Sequence, residues 1–415
     1  FANPLGNNAE SWTYRAADGT NGATERQALS QHGDWWDSQI RLTWQMDPKN
    51  KFAGTWDQQF YCRCPNGVSA TTSPEAANDR RFPVQQLLHG EWWSPLTSKM
   101  LIEVVALHRT ERWGNMNLRP TGDGGSLNVT PAQYALYPSM IGVTQQAGGP
   151  QPDLDFHGPN GTFNNNWVPN YTYRYAVSYI TGAHAFKVGG EDAFGYTAST
   201  VSLPTLDTQN RPVRYRFSNT NTPNQVTVYN TPYSWKQDVN HNLGLFAQDR
   251  WTMDRLTVNA GVRFDWFKSS IPETTLLPST IGRPAATYAA IDNAMNMKDW
   301  TPRLGVAYDL RGDGKTAVKV SINKYVAGQG GGNLTGSANP IGRLTNNNSR
   351  DWTDANGDKI ADCDLTIQAA NGECGTGSAT LLSTLIPGST TPGAPADGLF
   401  DRNVREGWGV RSYNW

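Results

Sequence analysis

The chain of 415 residues carries 35 basic and 36 acidic residues, a formal net charge of −1 at pH 7. This balance excludes the basic excess on which nucleic-acid binding depends. The longest apolar stretch, Met100–Leu107, is interrupted by Glu103, so no segment reaches the roughly 18 apolar residues of a membrane-spanning helix. Membrane β-strands alternate polar and apolar residues, and a mean hydropathy of −0.58 is compatible with them.

Alternation of polar and apolar residues with a period of two is the main pattern in the chain, and it predicts β-strands. The predicted strands, in chain order, are Ser38–Met46, Phe52–Phe60, Val84–Trp93, Met100–Arg112, Tyr171–Ile180, Ala185–Phe194, Val213–Phe217, Gln225–Tyr229, Leu243–Thr252, Leu256–Phe267, Thr301–Leu310 and Thr316–Tyr325. The first strand and the last three alternate most regularly, each with one apolar and one polar face. The sequence therefore predicts an all-β protein of about twelve strands.

The connections between these strands alternate between short turns and long segments. The long connections are 63–82, 114–170, 195–212, 230–241, 268–300 and 326–407. In an up-and-down meander every second connection lies at the same end, so short and long loops separate to opposite rims. Outer-membrane barrels show this asymmetry, with short periplasmic turns and long extracellular loops. The pattern predicts an antiparallel up-and-down transmembrane β-barrel with long extracellular loops.

Large aromatic residues occur near both ends of the predicted strands. Those near short turns are Trp44, Trp92 and Trp251, and those near long connections are Phe60, Trp113, Trp266 and Trp300. Two aromatic girdles, about one strand length apart, are expected at the two interfaces of a bilayer. The alternative is that these rings pack the core of a soluble sheet.

Two segments resemble a known family. They are LGLFAQDRWTMDRLTVNAGVRFD (Leu243–Asp265) and TPRLGVAYDLRGDGKTAVKVSINKY (Thr301–Tyr325). The order of Gln-Asp-x-Trp, a tight turn, Gly-x-Arg-Phe-Asp and then Pro-Arg-x-Gly-x-Ala-Tyr-Asp is similar to the barrel of TonB-dependent receptors. The segment Asp351–Gly375 and residues 37–59 resemble the Oar-like branch, whose members carry a carboxypeptidase-regulatory-like domain.

The resemblance implies the domain organisation and the partners. Residues 1–415 would be one partial outer-membrane barrel domain, about twelve strands of a barrel of 22, with no plug domain. Its strands would lie within 38–325, a large extracellular loop within 326–407, and the start of a further strand within 408–415. The expected partners are outer-membrane lipid, an unknown transported solute, and a TonB–ExbB–ExbD complex acting through a plug outside this chain.

Charged residues on the polar faces of the strands are candidates for the lumen of the barrel. They are Arg41, Asp57, Glu103, Arg109, Arg263, Asp265, Arg303 and Lys319. The functional interpretation is that they contact plug or solute. The alternative is that charges of mixed sign form cross-strand pairs on a solvated wall.

One segment of the last long connection has the spacing of a calcium-binding loop. The candidate ligands are Asp354, Asn356, Asp358, Ile360, Asp362 and Asp364. The twelfth position is Leu365 rather than a bidentate Glu, so Asp364 or Glu373 would substitute only if the loop folds back. The alternative is an Asp- and Asn-rich surface turn. Because exported proteins meet an oxidising periplasm, Cys363 and Cys374 are expected to form a disulfide that closes this loop.

Catalysis finds no support in the sequence. The six histidines are scattered, and neither HExxH nor GxSxG occurs. The sequence therefore predicts a protein that is not an enzyme and that has no cofactor, with a structural calcium ion in the loop 354–364 as the one open alternative. The resemblance implies energy-coupled transport of a bulky solute across the outer membrane. The alternatives are a passive porin-like channel and a soluble all-β adhesin or glycan-binding protein.

Overall fold

The computed structural model describes residues 11–13, 26–28, 33–67, 71–72, 76–117, 142–145, 153–157, 162–203, 206–218, 222–278, 285–328, 334–343, 347–377, 405–407 and 411–414. Most of these residues are in β-strands, and two short helical segments follow the last long strand: α1 (Leu334–Ala338) and a 3-10 turn (Pro340–Arg343). Neither segment, nor any other helix in these ranges, has the length and apolarity required to cross a bilayer.

The strands fall into one large sheet and three small ones. In chain order they are β1 (Ser11–Thr13), β2 (Arg26–Ala28), β3 (Gly33–Asp47), β4 (Asn50–Asn66), β5 (Asn78–Thr97), β6 (Met100–Asn117), β7 (Gly142–Gln145), β8 (Leu154–His157), β9 (Phe163–Thr181), β10 (His184–Ser202), β11 (Val213–Phe217), β12 (Pro223–Tyr229), β13 (Tyr233–Met253), β14 (Leu256–Ile271), β15 (Thr274–Leu276), β16 (Ala286–Tyr288), β17 (Ile291–Asp309), β18 (Ala317–Val326), β19 (Asn347–Asp351), β20 (Glu406–Gly407) and β21 (Arg411–Asn414).

The large sheet, called the main sheet below, has twelve strands. Its order is β21-β18-β17-β14-β13-β10-β9-β6-β5-β4-β3, with β20 added in parallel to β17. Every other neighbouring pair is antiparallel. The prediction of an all-β antiparallel meander is therefore confirmed. Over the described ranges no pairing joins β3 to β21, so the sheet is an open barrel wall.

One face of the main sheet is a continuous apolar surface. Directly paired residues form a single row across nine strands: Trp44, Phe52, Trp92, Val104, Tyr175, Gly190, Leu245, Phe264 and Trp300. Apolar side chains on this face are largely uncovered, for example Leu42 at 72% and Val320 at 60% exposed. An apolar area of this extent is suited to contact with hydrocarbon, because soluble proteins rarely expose one.

The row one residue away is polar. It runs through Thr43, Ala53, Glu91, Val105, Arg174, Glu191, Gly244, Asp265 and Asp299. Successive side chains of a strand point to opposite faces, so the alternation in the sequence becomes an apolar face and a polar face.

Short and long connections lie at opposite ends of the main sheet. Two-residue turns join β3 to β4, β5 to β6, β9 to β10 and β13 to β14, and the turn after β9 uses Gly182 at φ 55°. The long connections lie at the other rim and carry the small sheets. The predicted asymmetry of the loops is present in the fold.

The aromatic residues only partly follow the predicted girdles. Trp44 is 60%, Trp251 37% and Trp300 54% exposed on the apolar face. Trp113 is different, because it is an odd-numbered residue of β6, like Arg109 on the polar face. Its ring stacks on that of Phe82, with centroids 6.1 Å apart. Trp113 is therefore not part of the lipid-facing girdle.

The interpretation of Val213–Phe217 and Gln225–Tyr229 as barrel strands is wrong. They correspond to β11 and β12, which belong to a five-stranded sheet of order β19-β12-β11-β7-β8. This sheet, called the loop sheet below, combines strands from three separate long connections. Alternation alone did not distinguish the two sheets, because both have one apolar and one polar face. At five and seven residues, β11 and β12 are shorter than the roughly nine to eleven residues of a membrane-spanning strand.

The two faces of β14 yield a direct test. Val262 lies on the apolar face, pairs with Ala247 and Pro302, and is 41% exposed. We expect Val262→Arg to destabilise the membrane-inserted sheet by about 2–4 kcal/mol, because arginine near the bilayer midplane is costly. The measurement is the fraction of protein assembled into lipid bilayers.

The matched control is Thr257→Arg on the polar face of the same strand, which pairs with Ala307. We expect it to assemble like the unmodified chain. Equal assembly of the two arginine variants would show that the faces are wrongly assigned.

Candidate functional site

The residues that were predicted from the sequence to line the lumen lie on the polar face of the main sheet. Strand register places on it all eight, namely Arg41, Asp57, Glu103, Arg109, Arg263, Asp265, Arg303 and Lys319. Their assignment to a lumen stays a prediction, since the described sheet is open. The structure adds the contacts that most of these side chains make.

One ion pair bridges two strands that are not neighbours. Lys187 of β10 donates from Nζ to Oε2 of Glu103 on β6, at 2.7 Å. The intervening strand β9 places Ala176 opposite Glu103, and Ala176 is only 2% exposed. A small side chain at this position leaves room for the pair to close above it. With both charged groups about 30% exposed, the pair contributes to orientation more than to stability.

Arg263 lies between two carboxylates. Its Nε donates to Oδ1 of Asp265 at 2.6 Å, and its Nη2 donates to Oε1 of Glu191 at 3.1 Å. The guanidinium lies directly over Gly244, where an added Cβ would collide with Nη2. Glycine at this position is therefore what allows the guanidinium to lie flat on the wall and join β10 to β14.

The other nominated residues have weaker or more local partners. Arg41 approaches Glu91 at 3.7 Å, and Asp57 accepts a 3.4 Å hydrogen bond from Gln39. Arg109 forms a close ion pair with Glu111, two residues along the same strand. Much of the wall is thus internally paired, as the alternative interpretation expects.

Arg303 and Lys319 differ from these pairs. The Arg303 guanidinium lies 4.9 Å from the centre of the Tyr325 ring, a cation–π contact. Neither Arg303 nor Lys319 has an acidic partner in the part of the chain that the structure describes.

Sequence reasoning missed Asp299, which forms ion pairs with two cationic side chains. Its side chain is 2% exposed, it is paired with Lys324, and it accepts a 3.2 Å hydrogen bond from Arg411 Nε on β21. The signal was weak because the alternation before Thr301 is irregular, and the strand was predicted to begin there. In the structure β17 begins ten residues earlier, at Ile291.

The loop sheet has its own small core and a buried polar network. Tyr215 is 3% exposed, its hydroxyl donates to Asp207 Oδ2 at 3.3 Å, and it accepts a 3.3 Å bond from the Ala361 amide. Arg211 pairs with the same carboxylate at 2.6 Å and donates to the Cys363 carbonyl oxygen at 3.0 Å. Residues of two separate connections are joined here.

The predicted calcium loop folds back on itself. Glu373 accepts hydrogen bonds from the amides of Ala355 at 2.6 Å and Asp362 at 3.0 Å. Asp354 is 3.2 Å from Lys359 Nζ. Burial raises the pKa of Asp354, but bonds from Lys359 and Gly357 outweigh it and leave that pKa below its usual value.

The carboxylate groups of the loop therefore accept hydrogen bonds from donors within the same loop. The amide nitrogen of Asn356 contacts Asp358 at 3.2 Å and Asp362 at 2.8 Å. Across the described ranges no three His, Cys, Asp or Glu side chains meet in an arrangement that would hold a metal ion. As folded here, the side chains of Asp354, Asn356, Asp358, Asp362 and Asp364 make hydrogen bonds within the loop. Calcium binding by Asp354, Asn356, Asp358, Ile360, Asp362 and Asp364 stays a prediction.

Cys363 and Cys374 form a disulfide, with Cα atoms 5.7 Å apart. This is the pairing expected from the sequence. Cys374 is 3% exposed and belongs, with Trp352 and Leu365, to the core of the loop sheet. The bond therefore ties the acidic loop to the packed part of that sheet.

Replacing both cysteines, Cys363→Ser with Cys374→Ser, tests this tie. We expect protease cleavage within 351–377 to become faster on intact cells. A disulfide that closes a loop of this size lowers the entropy of the unfolded loop, and so raises its free energy by about 3 kcal/mol. The shift in gel mobility that heating causes, which reports the folded main sheet, is expected to be the same as in the unmodified chain. An unaltered cleavage rate would show that the loop is held by its packing alone.

The burial of Tyr215 leads us to expect that the stability of the loop sheet depends on pH in the alkaline range. Burial raises its pKa from the usual 10.0 to about 12. The unfolded chain loses the phenol proton first, so this contribution to stability is complete below pH 10 and is lost as the pH rises towards 12.

The measurement is tyrosinate absorbance, together with the protease resistance of the loop sheet, in the unmodified chain and in Tyr215→Phe. We expect the difference spectrum to titrate near pH 12 and the Phe variant to lack this part of the alkaline loss. A difference spectrum that titrates near pH 10 would contradict the buried network.

Comparison with known proteins supplies the remaining observations. A family model described as an outer membrane beta barrel domain matches residues 3–396. No curated protein matches the chain. Among solved structures it is similar to the outer membrane transporter YddB from Escherichia coli, at 12% identity and a TM-score of 0.49, over 82% of this chain and 39% of that one.

The chain is also similar to the copper transporter OprC, at 13% identity and a TM-score of 0.45, over 77% of this chain and 42% of that one. For the ferric citrate transporter FecA the identity is 10% and the TM-score 0.39, over 77% and 41% of the two chains. The chain thus spans about two fifths of the length of these structures.

Proposed function

Because the chain belongs to the outer membrane beta-barrel domain family, we propose that it forms part of the barrel of a TonB-dependent receptor. Such a receptor takes up a bulky solute across the outer membrane at the expense of energy supplied from the inner membrane. The chain itself lies in the outer membrane. The resemblance of Asp351–Gly375 supports the further proposal that the receptor is of the Oar-like branch.

The observation that carries the proposal is the two-faced main sheet. Its apolar rows are largely exposed, and its polar rows carry paired charges. In hydrocarbon every backbone amide needs an internal partner, and antiparallel pairing supplies one along each interior strand. The ordered motifs in Leu243–Asp265 and Thr301–Tyr325 support the receptor class over other barrels.

In this proposal the chain acts by shape and charge, without covalent chemistry. The main sheet provides a rigid wall, and the loop sheet at the long-connection rim meets the solute first. The TonB–ExbB–ExbD complex would act on a plug that fills the lumen. Pairs such as Glu103–Lys187 and Arg263–Glu191 keep the wall polar where a plug or a solute would slide.

The passive porin-like channel is distinguished by conductance. The full-length gene product, purified from outer membranes in detergent, is inserted into a planar lipid bilayer. A plugged receptor is expected to show no steady conductance until denaturant reversibly unfolds the plug. A steady open conductance without denaturant would contradict energy-coupled uptake and support the channel. Recovery of the product in detergent-free soluble extracts would support an adhesin instead.

A further inference from the structure

A cleft of about 510 Å³ lies on the polar face of the main sheet, towards the short-turn rim. Five cationic side chains line it, from β9, β10, β13, β14 and β17: Arg174, Lys187, Arg250, Arg263 and Arg303. Neutral hydrogen-bonding side chains from Gln248, Asn259 and Asn323 lie between them. The volume falls within the range of about 300–1,000 Å³ that is usual for small-molecule sites.

Two glycines form the floor of the cleft. Gly261 is paired with Gln248 and Arg303, and Gly305 is paired with Asn259. A Cβ added to Gly305 would meet no atom within 4 Å, so the space above it is open. The floor is thus bare backbone surrounded by long polar side chains from the adjacent positions.

The charges of the cleft are not balanced within it. Its one carboxylate-bearing residue, Asp249, directs the side chain to the opposite face, where it is 2.6 Å from His184 Nδ1. Lys187 and Arg263 are neutralised by their ion pairs. In the ranges described, Arg174 and Arg250 have no acidic partner, and the contact of Arg303 is with the Tyr325 ring.

We propose that this cleft binds a carboxylate or phosphate group of a solute, with Arg174, Arg250 and Arg303 as its main ligands. Guanidinium groups bind carboxylates and phosphates through paired hydrogen bonds, and the neighbouring amide side chains add neutral donors. A small solute suits the cleft better than a protein segment, because the volume of about 510 Å³ is that of a small-molecule site. The inference rests on the proposed function and narrows its solute to an anionic one.

The test measures binding of inorganic phosphate and of citrate to the full chain in detergent micelles, by equilibrium dialysis with labelled anion. The double variant Arg250→Gln with Arg303→Gln is expected to weaken binding about tenfold or more. Gly305→Leu, which fills the cleft without changing charge, is expected to weaken binding to a similar extent. Heat-modified gel mobility verifies that each variant is folded.

Two controls match these variants. Arg80→Gln removes the same charge at a residue outside the cleft, whose guanidinium lies 4.9 Å from the centre of the Trp113 ring. Gly90→Leu places the same side chain at another glycine with open space, on the apolar face. Both are expected to bind the anions as the unmodified chain does.

Equal binding by the cleft variants and the unmodified chain would overturn the proposal, as would equal binding of uncharged glycerol. Binding of an acidic peptide but of neither small anion would also overturn it, in favour of a protein segment as occupant. The conductance experiment tests the receptor function without any anion ligand. A negative result there can therefore be distinguished from a failure of anion binding in the cleft. A passive channel that still binds phosphate in the cleft would contradict the receptor function alone.

Discussion

The main sheet depends on the requirement that every backbone amide and carbonyl in hydrocarbon be paired within the protein. The register meets this requirement without a break from Trp44 on β3 to Trp300 on β17, through eight successive strand pairs. Because side chains alternate along each strand, the same register also sorts residues into an apolar and a polar face. The pairing of the backbone and the separation of polar from apolar side chains are thus set by the same strand register.

The charged side chains of the polar face follow from that register. Residues that face each other across one or two strands form the ion pairs, as Lys187 and Glu103 do across β9. Small residues make these contacts possible, since Ala176 and Gly244 lie directly beneath the charged groups. Where glycines lie beneath no ion pair, at Gly261 and Gly305, a cleft remains. The positions of small residues therefore decide where the wall is closed and where it is open.

Sequence alone predicted the fold class and the face of each nominated charge, because both depend only on alternation along a strand. It did not predict which strands share a sheet: β11 alternates Val213 and Tyr215 with Arg214 and Arg216, yet its apolar side packs in the loop sheet. It also missed Asp299 and the cleft around Gly261. These depend on strand length and on pairing between distant strands, which alternation does not encode.

The loop sheet has a mechanical consequence for the wall. Its strands come from the connections between β6 and β9 and between β10 and β13, and from the segment after β18. Through one shared core, with Val226 completely buried, it fastens together points that are several strands apart along the rim. It therefore acts as a brace on the curvature of the barrel at that end. Widening or narrowing of the barrel at this rim would require the strands of the loop sheet to slide past one another. At the opposite rim, two-residue turns join only neighbouring strands.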